Sequence, residues 1–120
     1  MSESFDFGKK GEELAAEMLT GKGYEVIARN WRFRNAEIDI IAKKNKTVVF
    51  VEVKTRKSFY LSEPSFTVNK AKQKLLIGAA DAFIKQKNLD AEARFDIVSI
   101  VFNQEQKKIE HLEDAFYPSL

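Results

Sequence analysis

The stretch from Glu37 to Arg56, EIDIIAKKNKTVVFVEVKTR, constrains the fold of this chain most tightly. It reads as two alternating strands joined by Lys44-Asn45-Lys46-Thr47, a segment with the length and Asn content of a tight hairpin. In the second strand Val49, Val51 and Val53 fall on one face, and Phe50, Glu52 and Lys54 on the other. In the first, Ile38 and Ile40 share a face, with Glu37 and Asp39 on the opposite one. Folding about the Asn45–Lys46 bond sets Asp39 opposite Glu52, Glu37 opposite Lys54, Ile40 opposite Val51 and Ile38 opposite Val53. A slip of one residue would put Asp39 against a valine and spoil both faces.

Directly opposed side chains hold their Cβ atoms roughly 4.5–5.5 Å apart. Two carboxylates at about 5 Å repel by roughly 3 kcal/mol at an effective dielectric near 20. The ordinary setting for such residues is the wet face of an amphipathic hairpin. The arrangement becomes favourable when a divalent cation sits between the acids, because Mg²⁺ and Mn²⁺ prefer hard oxygen ligands. Lys54, two residues beyond Glu52 on the same face, would then stabilise charge developing on a substrate oxygen.

Composition narrows the classes further. A chain of 120 residues, 44% hydrophobic with ten phenylalanines, has the material for one core and little room for a second domain. Net charge is only +2 although 32% of residues are charged, which excludes a polybasic tail. An isoelectric point near 8.8 permits an anionic partner. The absence of cysteine excludes disulfides, thiolate nucleophiles and cysteine zinc sites. The single histidine, His111, excludes multi-histidine metal sites and reads as an ordinary residue on a late strand. No run approaches about 18 apolar residues, and the N-terminus MSESFDFGKK lacks a signal-peptide pattern. The expectation is a cytoplasmic protein with no membrane partner.

The remaining chain supplies flanking elements. Gly8 to Thr20 reads as a helix capped by Asp6 or Ser4 and stopped by Gly21 and Gly23. Tyr24 to Trp31 reads as a strand before the hairpin. Lys57 to Phe66 is a proline-containing loop placed to act as a flap. Thr67 to Asn88 carries a helical stripe of Val68, Leu75, Leu76, Ala79 and Phe83. Ala93 to Phe102 is a strongly apolar strand, and Lys107 to Leu112 its hairpin partner. The order α-β-β-β-α-β-β predicts an α/β fold, a mixed β-sheet with flanking helices and a parallel crossover through the second helix.

Several residues could surround the acid pair. Glu12 shares a helix face with Ala15, Ala16 and Leu19, as a third carboxylate or as an acid near a helix N-terminus. Lys72 lies within the apolar stripe of the second helix, where it either snorkels outward or meets an anion. Gln73 is one position round, whereas Lys70 and Lys74 read as solubilising. Arg29-Asn30-Trp31-Arg32-Phe33-Arg34 either grips phosphates and stacks on bases, or is a strand end with aromatics inward and arginines in water. Arg56 and Lys57 could place positive charge where a scissile strand enters. Asp96 is expected to pair with Arg94 or another basic neighbour and is assigned no catalytic role.

Glu37-Ile38-Asp39-Ile40-Ile41-Ala42 followed by Phe50-Val51-Glu52-Val53-Lys54-Thr55-Arg56 resembles the active-site hairpin of the PD-(D/E)XK nuclease superfamily. The likeness is closer to its uncharacterised YraN-like family and more distant to archaeal Holliday-junction resolvases. It spans nearly the whole chain, through Gly8-Lys9-Lys10-Gly11-Glu12, Gly23-Tyr24, Arg29-Asn30-Trp31-Arg32, Lys72-Gln73 and Arg94-Phe95-Asp96. Two positions depart from the family pattern: Ala36 stands where glycine usually precedes Glu-Ile-Asp, and Lys57–Phe66 contains no glycine.

The resemblance implies a restriction-endonuclease-like core in which Asp39 and Glu52 bind Mg²⁺ or Mn²⁺. Lys54 would polarise the scissile phosphate or the attacking water, Glu12 would complete the site, and Gln73 would lie nearby. Glu37 is expected to orient Lys54 across the hairpin, and Arg32, Arg34, Arg56 and Lys72 to contact nucleic acid. The expected activity is metal-dependent endonuclease cleavage of DNA, including branched or recombination and repair intermediates. The alternatives are a non-catalytic nucleic-acid-binding module and a scaffold domain. A resolvase-like cut of two strands would suit a homodimer, although no segment advertises an interface.

Overall fold

The computed structural model describes residues 3–57 and 66–118 of the chain. Helix α1 (Glu3–Gly21) precedes strands β1 (Glu25–Phe33), β2 (Ala36–Lys44) and β3 (Thr47–Arg56). Helix α2 (Lys70–Gln86) then leads to β4 (Glu92–Phe102) and β5 (Lys107–Phe116). The strands form one sheet in the order β1-β2-β3-β4-β5, antiparallel except for the parallel β3–β4 pair that α2 connects. This is the expected α/β order. The expected flap falls mostly on residues 58–65, outside the described residues.

Among the described residues, each face of the sheet carries one helix. Against α1 pack Ile40, Ala42, Val49, Val51, Val98 and Ile100, closed by Ala15, Leu19 and Tyr24. Against α2 pack Ile38, Ile41, Val48, Phe50, Phe95 and Ile97, with Leu76, Ala79, Ala80 and Phe83 from the helix. The phenylalanines explain the second layer: Phe50, Phe95 and Phe116 stack in series at 5.6 and 5.1 Å between centroids. Phe83 meets Phe50 edge-on at 6.1 Å.

Helix boundaries shift from expectation at both helices. Ser4 and Asp6 lie within α1 rather than capping it, and Phe7, at the start of its second turn, stacks on Phe102 at 4.4 Å. Tertiary packing of this kind extends a helix past its local start signal. The cap of α2 is Asn69, whose side chain accepts the Lys72 N–H at 2.8 Å. Strand β5 runs four residues beyond the expected Leu112, past a bulge near Asp114 (φ 55°).

The central hairpin turns at Asn45, whose φ of 55° is a left-handed conformation that Asn tolerates. Its register is the expected one from Lys44/Thr47 to Ile40/Val51. Beyond Ile40/Val51 the ladder stops, so the expected Asp39/Glu52, Ile38/Val53 and Glu37/Lys54 pairs are not formed. The cause lies one strand away. Asn30 of β1 has φ 50°, and the β1–β2 ladder skips Asn30 and Asp39 between Arg29/Ile40 and Trp31/Ile38. Both strands change face there: Ile38 and Ile41, three residues apart, pack on the α2 side, as do Ala28 and Trp31. Ile38 and Ile40 therefore sit on opposite faces, a break in period that alternation alone could not disclose.

Candidate active site

Asp39 occupies the point where β2 leaves β3. Its Oδ2 accepts the backbone N–H of Val53 at 2.7 Å, taking over a donor that the diverging strand no longer meets. Its carboxyl also shares a hydrogen bond with that of Glu52. Burial above all, then the Glu52 charge and that shared bond, push Asp39 up to about 8, against the lowering effect of the Val53 N–H. The charge of Glu12 adds a smaller push in the same direction. Glu52 itself is buried, 6% exposed, on the α2 face of β3. The two acids meet as expected, but through a side chain lodged in a split between strands rather than across a continuous ladder.

Lys72 reaches Glu52 from the first turn of α2 and forms an ion pair with its Oε2. Of the alternatives open to a lysine in an apolar stripe, it meets an anion. It also lines, with Glu37, a cleft of about 360 Å³ between the β1–β2 turn and the start of α2. Gln73, one position on, donates to the Val68 carbonyl at 2.8 Å and so fastens the approach to α2. Lys54 is half-buried and makes no ion pair with any described residue. In the parallel ladder it lies beside Ser99.

Glu12 is tied into the site through Asn30, whose amide donates to it at 2.9 Å and more weakly to Glu37 at 3.5 Å. Glu37 does not reach across to Lys54. The face change at Asp39 turns it toward Arg32, with which it pairs at 2.8 Å. The arginine-aromatic cluster divides. Trp31 and Phe33 stack on each other and pack on the α2 core, Trp31 meeting Phe83 edge-on at 5.2 Å. Arg29 pairs with Glu13, and Arg34 lies over the Phe33 ring at 5.1 Å. The aromatic rings thus serve packing, while Arg32 and Arg34 remain on the surface. Arg56, at the end of β3, buries its Nε and Nη2 without a hydrogen bond to any described residue.

Among the described residues no third Asp, Glu or His joins Asp39 and Glu52 closely enough to make a three-ligand cluster. The donor set nevertheless suits a hard divalent cation: two carboxyls, Glu52 buried and Asp39 half-buried, meet beside one ammonium, and their chemistry demands a positive charge.

A second ionic cluster carries more hydrogen bonds. Asp96, wholly buried, accepts Arg94 in a bidentate pair at 2.9 and 2.8 Å. It also accepts the Asp114 N–H at 2.9 Å, which the β5 bulge aims inward. His111 Nε2 lies 2.7 Å from its Oδ2, and Lys22 Nζ lies 3.0 Å from His111 Nδ1. A lysine ammonium can only donate, so Nδ1 accepts and the ring proton sits on Nε2, facing Asp96. Burial raises Asp96, but the bonds from His111, Arg94 and Asp114 outweigh it and hold the carboxyl below its ordinary range. His111 is thus a buried partner of Asp96, not an ordinary strand residue. The basic partner Arg94 was legible from the Arg-Phe-Asp spacing, whereas the histidine comes from a separate strand.

A mixed sheet with a carboxylate pair at a strand divergence and a lysine two residues on defines an α/β protein with a candidate acid-lysine active site. The chain belongs to the uncharacterised protein family UPF0102, whose pattern it matches over residues 11–100. It is similar to UPF0102 proteins of Flavobacterium psychrophilum (47% identity, 98% of each chain) and Christiangramia forsetii (43%, 98% of each). The UPF0102 protein of Geobacter metallireducens is 46% identical over 91% of this chain and 90% of its own. This is the YraN-like family expected from the hairpin motif. No helix among the described residues is long and apolar enough to cross a membrane.

Proposed function

We propose that this UPF0102 protein is a divalent-metal-dependent endonuclease that hydrolyses phosphodiester bonds in DNA. The observation that supports this reading most is the Asp39–Glu52 pair, in which burial and mutual repulsion raise Asp39 to about 8. A cation between them would let Asp39 give up its proton, so Mg²⁺ or Mn²⁺ would take the place of that proton and of the Lys72 ammonium. A divalent ion there would supply Lewis acidity toward the phosphate and acidify water near neutral pH.

The chain's own groups account for the remaining steps. The Val53 N–H fixes the direction of the Asp39 carboxyl, and burial prevents Glu52 from turning to solvent. Lys54 projects from the same face of β3 as Glu52, where an ammonium offsets charge growing on phosphate oxygens. Glu12, held by Asn30, can orient a water at the edge of the pair. Arg32 and Arg34, exposed at the end of β1 next to the turn that borders the cleft, supply positive charge for backbone phosphates, and Arg56 adds charge at the end of β3.

The competing reading is a nucleic-acid-binding module without turnover. It is favoured by the Lys72–Glu52 ion pair, which already gives Glu52 a counter-charge. One assay separates the two: labelled linear, nicked, flapped and four-way DNA incubated with Mg²⁺ or Mn²⁺. Cleavage by the wild type, abolished in Asp39→Asn, Glu52→Gln and Lys54→Ala with DNA affinity retained, is expected. Salt-dependent binding with no products from any substrate would establish the competing reading.

A further inference from the structure

A cavity of about 360 Å³ opens at the end of the sheet where β3 and β4 finish, lined by Phe7, Lys10, Lys57, Phe102, Asn103 and Gln104. Phe7 and Phe102 stack at 4.4 Å between centroids. Lys10 Nζ covers the Phe102 ring at 5.8 Å, and Lys57 Nζ covers the Phe7 ring at 5.2 Å. Among the described residues, the lining therefore holds two cations, two half-buried aromatic rings and no acid. Neither lysine has an ion pair with a described residue. Asn103 makes the floor rigid, since its amide donates to the Lys57 carbonyl at 3.1 Å and its Oδ1 accepts the Glu105 and Gln106 N–H groups. Gln104 is exposed beside it, a carboxamide with both a donor and an acceptor to offer.

We propose that this cavity is a subsite for an unpaired nucleotide of the nucleic-acid substrate, the base stacking on the Phe7–Phe102 pair and its phosphates meeting Lys10 and Lys57. An ammonium over a ring holds its place by a weak cation–π attraction. A nucleotide replaces both partners at once, giving the ring a base face and the ammonium a phosphate. Duplex DNA keeps its bases stacked inside, so only a frayed, flapped or single-stranded segment can fill the cavity. Position suits this use. Lys57 lies three residues beyond Lys54 on the same chain, about 10 Å along a strand, and Lys10 is two residues before Glu12 on α1. The cavity lies on the α1 face and Glu52 and Lys54 on the α2 face, so a strand leaving the acid pair would reach it by passing round the end of β3.

This inference rests on nucleic acid being the substrate, and its test is independent of cleavage. Fluorescence anisotropy in EDTA would compare a labelled oligothymidylate with an oligonucleotide of equal length and charge whose central residues are abasic. The wild type should bind the thymidylate about tenfold more tightly, the scale of one base–aromatic stack. Phe102→Leu and Phe7→Leu, each checked for native circular dichroism, should bring that preference within about twofold. Lys10→Gln with Lys57→Gln should weaken both ligands. A 5-iododeoxyuridine oligonucleotide should photo-crosslink to the peptide holding Phe7 or Phe102, a readout that needs no variant to fold. Equal wild-type affinity for the two oligonucleotides, or a cross-link mapping elsewhere, would overturn the subsite. Cleavage of DNA without base preference sinks the subsite and leaves the nuclease; base preference without cleavage by any metal does the reverse.

Discussion

The Val53 N–H donates to Asp39 Oδ2 at 2.7 Å just past the last paired residues of the β2–β3 ladder. A backbone donor in the middle of a sheet is thus bound by an acid, and that acid is thereby held against Glu52. Divergence of two strands and approach of two carboxyls are the same event.

Asp39 sets a pH dependence whose sign can be worked out. Its folded pKa of about 8 lies above the unfolded value of 3.8, so the native state keeps a proton that the unfolded chain releases. The stability this contributes is full below pH 3.8 and declines as pH rises toward about 8. Asp39→Asn should flatten the decline and exceed the wild type by about 1–3 kcal/mol in EDTA at pH 9, the scale of a buried polar group relieved of its charge. Urea unfolding at pH 5 and pH 9 measures the difference. Mn²⁺ at pH 8 should raise the melting temperature of the wild type and not of the variant. Parallel pH profiles for the two proteins would show that Asp39 keeps its charge without metal.

Lys72 sets an ammonium on Glu52, where the proposed metal would bind. Lys72→Ala should be less stable than wild type in EDTA by about 1–3 kcal/mol, since it leaves a buried carboxyl unpaired. Its affinity for Mn²⁺, measured by calorimetric titration, should rise several-fold because no ammonium competes. Unchanged or weaker metal affinity would make Lys72 a surface residue with an incidental contact.

Asp96 contributes stability of the opposite pH sense. Its depressed folded pKa means the contribution is present above 3.8 and is lost only as pH falls below it. Asp96→Asn keeps the shape but turns an amide toward four donors, and should cost about 3–5 kcal/mol at neutral pH. The gap should narrow in acid, where the wild type loses its charge. Thermal unfolding from pH 3 to pH 7 reads both features; a constant gap would mean that the charge is not what holds β4 to β5.

At Gly11, α1 packs tightly against Thr55 of β3. A methyl group there would lie 2.7 Å from Thr55 Cγ2 and 3.0 Å from Thr55 Cβ, whereas one on Gly8 would meet nothing within 4 Å. Gly8→Ala should stabilise by up to about 1 kcal/mol through helix propensity. Gly11→Ala should destabilise by about 1–2 kcal/mol net, and by moving Glu12 away from Asn30 should also slow any cleavage. Equal stabilisation by both substitutions would contradict the tight contact.

Alternating valines and isoleucines around Asn45 determined by themselves that a hairpin forms in this register, because a slip exposes every core residue at once. Of the expected helical stripe, Leu76, Ala79 and Phe83 placed α2 on the sheet, whereas Leu75 is exposed and Val68 packs from the segment before the helix. That register led to the expectation that Asp39 meets Glu52, although they come together past the end of the ladder and not across it, and strand period placed Lys54 on the face of Glu52. Only the tertiary structure decided where the period breaks. The left-handed turn at Asn30 reverses the faces of two neighbouring strands, sends Glu37 to Arg32 and opens the split that Asp39 fills. Only tertiary structure, too, joined His111 and the Asp114 N–H to Asp96, and Lys72 to Glu52. Strand and helix periods are local properties of a few residues; partners brought from distant segments are set by how whole elements pack.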